Sequence, residues 1–308
     1  MNLGAVSYLN MLPFFYDDPE IWRADSPSIL NNAVRSGKID VACMSAVAGL
    51  RLGWTPLIPS LGVGARSEVK SVYLEPLMRN SSDEEFWNQF VHQNSNGLLN
   101  CPDLAPFGKG TAGTNADRFR QVNILTSGAS EQSEWLSQKI LGTQALETQI
   151  FKIDESLNLA QQGELQQYLE SSLISNIAFR AECPTALLVI GDPALERALL
   201  IDALRLDLAT LWNDYSGLPC IFAIWFARPG SETRNVSDRL KNNIRRWKSL
   251  KDKEKEKQII DFLNSNSNSL RHLTEDSVTL LRQYIQNIRY DISCGFKQTL
   301  QIYKTWLR

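Results

Sequence analysis

The chain has 308 residues, 43% hydrophobic and 21% charged, with 32 basic and 34 acidic residues and a formal net charge of −2. That length suits two cores better than one, and so even a balance carries no electrostatic footprint for nucleic acid. No apolar run approaches the roughly 18 residues of a membrane span, and the longest candidate, LPCIFAIWFA at 218–227, contains Pro219.

The first stretch, LGAVSYLNMLP at 3–13, reads as a short apolar strand running into Ser7, Tyr8 and Asn10 and stopped at Pro13. No basic segment precedes an apolar core there, so no secretion signal is expected. Residues 26–37, SPSILNNAVRSG, predict a helix with Ser26 as its cap, Pro27 in the first turn, Ile29, Leu30, Ala33 and Val34 on one face, and Gly37 closing it. IDVACMSAV follows as a buried strand. After Gly-rich turns, VKSVYLEP alternates as a strand should. This β-α-β order predicts a parallel sheet covered by helices.

Residues 80–93 read as an amphipathic helix capped by Ser82, with Glu85 at the capping-box position. The stretch 94–121, rich in Asn, Gly, Pro and Thr, predicts an irregular loop. VNILTSG is a strand with a polar tip, ASEQSEWLSQKILG a helix, TQIFKI a strand and NLAQQGELQQYLES a helix. CPTALLVIGDPAL is a buried strand feeding a Pro-initiated helix, ALRLDLATLWNDYSG at 203–217 a helix, and LPCIFAIWFARPG a strand. Beyond Gly230 the pattern is mainly helical. The charge run at 249–263 reads as a solvated helix face, NSNSNS at 264–269 as a polar loop, and the last helix, from Ser277, is interrupted near Gly295.

Cys43, Cys101, Cys183, Cys220 and Cys294 form no C-x-x-C pair, and His92 and His272 are the only histidines, so no metal-ligand spacing exists. Three of the cysteines lie in apolar stretches and read as reduced core residues, which with the missing leader predicts a cytoplasmic protein.

The expected organisation is α/β with two lobes: residues 1–76 and 218–308 form the first and residues 77–217 the second. SVYLEP and CIFAIWF would cross between them. The strand tips SYLN, CMSA, LTSG and VIGD would point into a cleft between the lobes, since ligands gather at the carboxyl ends of parallel strands.

Six stretches resemble one family. GAVSYLNMLP is similar to the G-x-V-S-Y-L-N-x-x-P signature of the MqnA family, the chorismate dehydratases of the futalosine route to menaquinone. GKIDVACMSA, GVGARSEVKSVYL, LLVIGDPAL, DLATLWNDYSGLPCIFAIWFARPG and YIQNIRYDIS resemble further motifs of that family, in the same order along the chain. The resemblance implies a type II periplasmic-binding-protein-like fold used as an enzyme. It implies a hydro-lyase that converts chorismate to 3-[(1-carboxyvinyl)oxy]benzoate without a cofactor or metal. The implied partner is this small-molecule substrate, with no nucleic acid and no membrane, and the chain acts as a monomer or homodimer. The sequence departs from the family at Glu131-Gln132, where a Thr-Ser pair is usual, at Ser67-Glu68 in place of Gly-Pro, and at Ala65 in place of a common Ser.

Chorismate is a dianion, and eliminating its ring hydroxyl with a ring proton makes the ring aromatic. The catalyst must orient the leaving oxygen and hold two carboxylates. Asn10 is the expected catalytic residue, because its amide both donates and accepts. The other reading of Asn10 is a turn-capping Asn ahead of Pro13. Ser7, Tyr8, Ser45, Arg66, Ser71, Ser127, Ser130, Gln132 and Asp192 are the expected substrate-binding residues. Ser130 also reads as an N-cap, and Asp192 either as a base or as a helix cap. Tyr8 and Trp225 either wall the cleft or, for Trp225, pack in the core. Glu131 would repel a dianion if it faced the ligand. The second functional reading is a binding protein of the same fold that holds a small anion without catalysis or takes a changed substrate.

Overall fold

A computed structural model describes residues 1–57, 60–95, 121–127, 130–143, 146–153, 183–265, 275–292 and 296–307. Contacts divide the chain into two compact units. The first holds Met1–Val69, Ala129–Gln132 and Leu218–Arg308, and the second Lys70–Gly128 and Ser133–Gly217.

The first unit is built on a seven-stranded sheet. Strands β1 (Leu3–Val6), β2 (Trp22–Ala24) and β3 (Val41–Ser45) run parallel in the order β2-β1-β3. Between β1 and β2 lie a 3-10 turn (Leu9–Met11) and the short helix α1 (Leu12–Phe15), and helix α2 (Pro27–Arg35) joins β2 to β3. In α2 the Ser26 hydroxyl accepts the Ile29 N–H at 3.3 Å and Pro27 opens the helix, as the sequence predicts. Its buried stripe is Leu30 and Val34, while Ile29 faces solvent.

The fourth neighbour in the sheet comes from far along the chain. Strand β11 (Cys220–Ala227) lies antiparallel to β3 on one side and to β5 (Leu61–Ala65) on the other, and it also pairs with β4 (Thr55–Pro56). It is apolar throughout, as a strand buried on both faces must be. A β-bulge interrupts the β11–β5 ladder: Ile221 pairs with Gly64 but Ala223 with Val63, so Phe222 is an extra residue. The outer strand, β12 (Arg289–Asp291), pairs with β5. The last helix, expected to be interrupted near Gly295, is two helices, α10 (Glu275–Asn287) and α11 (Phe296–Trp306), with this strand between them. Helices α8 (Val236–Ser249) and α9 (Asp252–Ser265) complete the first unit; α8 packs on α1.

The second unit has a five-stranded sheet in the order β10-β6-β9-β7-β8. Strands β7 (Gln121–Thr126), β8 (Glu147–Lys152) and β9 (Thr185–Ile190) are parallel, and β6 (Val72–Leu77) is antiparallel to β9 and to β10 (Leu206–Asp207). The sequence-based boundary at residue 76 falls inside β6. The chain leaves the first unit at Val69 instead, because β6 pairs with β9 along its whole length. Helix α4 (Ser81–Ser95) starts one residue before the expected cap. Asn80 fills that role, its side-chain oxygen accepting the Asp83 N–H at 2.9 Å. Helix α5 spans Glu131–Thr143 and α6 spans Gly191–Leu200. The helix expected from residue 203 begins only at Leu208, as α7 (Leu208–Ser216), because Asp207 closes β10 and caps α7 through the N–H groups of Ala209 and Thr210. The expected helix NLAQQGELQQYLES, the bulk of the 94–121 stretch, Cys101, His272 and Cys294 lie outside the described residues.

A charged pair is sealed inside the second unit. Tyr73 and Glu75, two apart on β6, share the face against α6. The Tyr73 hydroxyl donates to the Ala194 carbonyl at 3.1 Å. Arg197 donates to Glu75 from Nε at 2.8 Å and from Nη2 at 2.5 Å. Burial first, and then the Glu75 charge, push the Tyr73 hydroxyl up to about 12.

Candidate functional site

One edge of the first sheet carries five of the residues expected to form the site. Strands β1, β2 and β3 are parallel, so Val6, Ala24 and Ser45 end on the same edge. Strand β11 runs the other way and places Cys220 and Ile221 there, and β5 ends there because Ala65 pairs with Cys220. Ser7, Tyr8, Asn10, Ser45 and Arg66 therefore all follow strand ends on this one side of the sheet.

The backbone of Ser7 is anchored by its N–H to the Ala24 carbonyl at 2.7 Å. Tyr8 opens the 3-10 turn, and its carbonyl accepts the Met11 N–H at 2.9 Å. Asn10 sits inside that turn and is half-buried. Its amide caps nothing: neither the turn nor α1 has a side-chain cap, and Asn10 makes no hydrogen bond to another described side chain. The turn is held from below by Leu9 and Met11, both buried, and by Pro13 in α1. Among the described residues the Asn10 amide is thus a donor and acceptor with no partner, in a turn flanked by buried side chains. Arg66 is exposed and has no ion-pair partner among the described residues.

Ser45 caps α3 (Ala46–Arg51), its hydroxyl oxygen accepting the Ala48 N–H at 3.1 Å. Its own O–H has no acceptor among the described residues. The next amide, that of Val47, donates at 3.1 Å to Oε1 of Gln132. The Gln132 Nε2 donates to the Ile221 carbonyl. Gln132 is 1% exposed, so the side chain expected to meet substrate is committed to protein at both ends. Two further groups join it: the Tyr303 hydroxyl donates to the same Ile221 carbonyl at 3.3 Å, and the Cys220 sulfur lies 3.6 Å from that hydroxyl. Burial, with Cys220 beside it, pushes the Tyr303 hydroxyl well above its ordinary value. Glu131 forms an ion pair with Arg51, which answers its charge locally.

Trp225 is fully buried and packs edge-on against Phe14 at 5.5 Å; it belongs to the core and walls no ligand. Phe14 also meets Tyr290 at 5.4 Å.

The second unit has its own edge. Strand β9 ends at Ile190 opposite Val72, and β7 ends at Thr126. Ser71, Ser127 and Asp192 gather there. The Ser71 carbonyl accepts the Gly191 N–H at 2.7 Å, and Gly191 has φ +68°, a conformation that suits glycine. Asp192 is buried in the first turn of α6, but the cap position is Ile190, which has no side-chain cap, so Asp192 is not the cap the sequence allowed. Lys70, at φ +57°, is held by its N–H to Asp207 at 2.9 Å.

Sequence reading missed the Gln132 receptor and the Glu75–Arg197 pair. The only available signal for the first was a polar residue where an apolar helix face should begin. Among the described residues no three His, Cys, Asp or Glu side chains group as a metal site, and no helix is long and apolar enough to cross a membrane.

The profile of a protein family described as menaquinone biosynthesis matches residues 1–85 and 135–304. The chain belongs to that family. The match covers Ser7 to Ser71 and Asp192 and omits residues 86–134, which contain Ser127, Ser130 and Gln132. Comparison with curated proteins finds no match. Among solved structures, protein AF1704 from Archaeoglobus fulgidus is 13% identical, with a TM-score of 0.52 over 99% of this chain and 94% of its own. The periplasmic aliphatic sulphonate binding protein SsuA from Escherichia coli is 11% identical, with a TM-score of 0.54 over 99% of this chain and 85% of its own. SsuA from Xanthomonas axonopodis pv. citri, bound to MOPS, is 12% identical, with a TM-score of 0.51 over 98% and 90%. These likenesses give the fold: the α/β, two-sheet periplasmic-binding-protein fold expected from the sequence.

Proposed function

We propose that this menaquinone-biosynthesis protein is a chorismate dehydratase, releasing water from chorismate to form 3-[(1-carboxyvinyl)oxy]benzoate. The observation that carries the reading is the Asn10 amide, fixed in a one-turn 3-10 helix at the strand edge and spent on no described side chain. In the reaction the C3–H and C4–O bonds break, the ring gains its third double bond, and the proton and hydroxide leave as water. Asn10 orients the C4 hydroxyl, donating to the departing oxygen and accepting from its proton. Asn10 is too weak a base to take the C3 proton, which passes to water or to the substrate's own enolpyruvyl carboxylate. Arg66 and the Ser45 O–H supply charge and a donor for a carboxylate on the same edge. Positioning of this kind supplies several kcal/mol of the barrier, and aromatisation makes the product side favourable.

The test is to incubate the purified protein with chorismate and follow the aromatic product by absorbance and mass. Conversion supports the reading, and chorismate left unchanged overturns it. The second reading, a protein that holds a small anion without turnover, draws on the Glu131-Gln132 departure, since Gln132 spends its amide on the protein itself. Chorismate that binds but persists would favour it.

A further inference from the structure

The Gln132 side chain fills a receptor made for a carboxamide. One wall is a donor, the Val47 N–H at the start of α3; the other is an acceptor, the Ile221 carbonyl. That acceptor stands beyond the end of β3, which pairs with β11 only from Ala223 onward, and it receives side chains, Gln132 and Tyr303. A primary amide is the side-chain group that answers both walls at once: a carboxylate has no donor for Ile221, and an amine has no acceptor for Val47. The site is dry, with Gln132 at 1% and Ile221 at 1% exposure, so a mismatch leaves a buried group unpaired.

Each member of the receptor stands beside a residue of the proposed substrate edge. Val47 is two residues from Ser45, whose hydroxyl caps the same helix. Gln132 is two residues from Ser130, and the Glu131–Arg51 ion pair fixes the residue between them. We infer that Gln132 is a positioning residue: seated between Val47 and Ile221, it holds Ser130 against the edge that carries Ser45 and Asn10, and so sets the affinity for the substrate carboxylate. This assignment deepens the dehydratase reading and rests on it for the identity of the substrate. It also gives the departure from the Thr-Ser pattern a physical role, with an internal amide fastening in place of two hydroxyls.

The test uses the full chain with Q132M, which has no hydrogen-bonding ends, and Q132E, which keeps the shape and loses the donor. Amide exchange at Val47 is measured first, since it needs no substrate. The expected result is exchange at least about tenfold faster in Q132M, which has no acceptor for the Val47 N–H; exchange at the wild-type rate in Q132M overturns the inference. Steady-state kinetics with chorismate come second. Q132M and S130A are each expected to raise KM about tenfold with kcat within about threefold, and the double variant to be no worse than either single change, because both remove one arrangement. Effects that multiply in the double variant overturn the inference, as does a fall in kcat with KM unchanged. Should Q132M fail to fold, Q132E, which loses the donor to Ile221, supplies the kinetic comparison with S130A and the double variant. If the wild type neither binds nor converts chorismate, the dehydratase reading fails and takes the substrate half of this inference with it; the Val47 exchange result is separate and decides the fastening alone.

Discussion

Glu75→Gln removes one charge from a pair that the second unit seals from water. Glu75 is 4% and Arg197 2% exposed, and two hydrogen bonds of 2.8 and 2.5 Å join them. Gln keeps the shape but turns one acceptor into an N–H₂ group that faces a guanidinium N–H, so one bond is lost and Arg197 is left as a buried cation. Breaking such a pair from one side costs about 3–5 kcal/mol. Coulomb's law at an effective dielectric of about 20 gives roughly 4 kcal/mol for charges about 4 Å apart, in agreement. Arg205, whose Nε lies 3.9 Å from the same carboxylate, loses part of its partner as well. At about 2–4 °C per kcal/mol for a unit of this size, Tm falls by about 8–15 °C. Differential scanning calorimetry of the variant and wild type reads this directly. The double change Glu75→Leu with Arg197→Met is expected to recover most of the loss, because it leaves neither charge unanswered. A single variant melting within about 2 °C of wild type, or a double variant as weak as the single, refutes the reasoning.

Asn10→Ala removes the orienting amide from an already half-exposed turn; kcat for chorismate is expected to fall about 100- to 1000-fold with Tm nearly unchanged. Equal losses of activity and folding in thermal and kinetic assays would count against it. Gly62→Ala places a methyl 2.1 Å from the Ala223 carbonyl and 2.9 Å from Ile292. Backbone cannot yield there without opening the β11–β5 ladder, so a loss of at least about 3 kcal/mol is expected in urea unfolding. Burial opposes ionisation of Asp18, but hydrogen bonds from Arg239 and Asn243 and the Arg239 charge outweigh it and hold the carboxyl below its ordinary 3.8. A carboxyl lowered in the folded state stabilises above the unfolded value and loses that contribution as pH falls through the folded one. Asp18→Asn is therefore expected to flatten the stability profile below about pH 4 and to lower it at neutral pH, as followed by denaturant midpoint against pH.

Local signals were legible where local chemistry decides. Ser26 and Pro27 announce α2 because a cap and a fixed φ act within one turn. The polar tip of β1 was legible as an element because strand and tip are adjacent, and Asn10 lies in the turn that follows the strand. Long-range pairing was not legible. Arg289–Asp291 is a strand solely because β5 lies beside it, and within its own sequence it continues a helical period. Glu75 in an alternating strand reads as a wet-face residue until Arg197, 122 positions away, supplies its partner. Gln132 read as a ligand contact since nothing in its neighbourhood shows the carbonyl at Ile221, which lies in a strand 89 positions on.

The place of β11 governs the order in which the protein is assembled on the ribosome. Strands β3 and β5 never touch each other as partners; both lean on β11, which is synthesised last among the three. Until Ala227 has emerged, the nascent amino-terminal sheet holds two open, apolar borders. All described strands of the intervening unit lie within 72–207, so that unit can complete its own sheet first. Arrest at codons before 220 would strand the early segment with nothing to zip it shut, and such nascent chains are the ones that would call on chaperones.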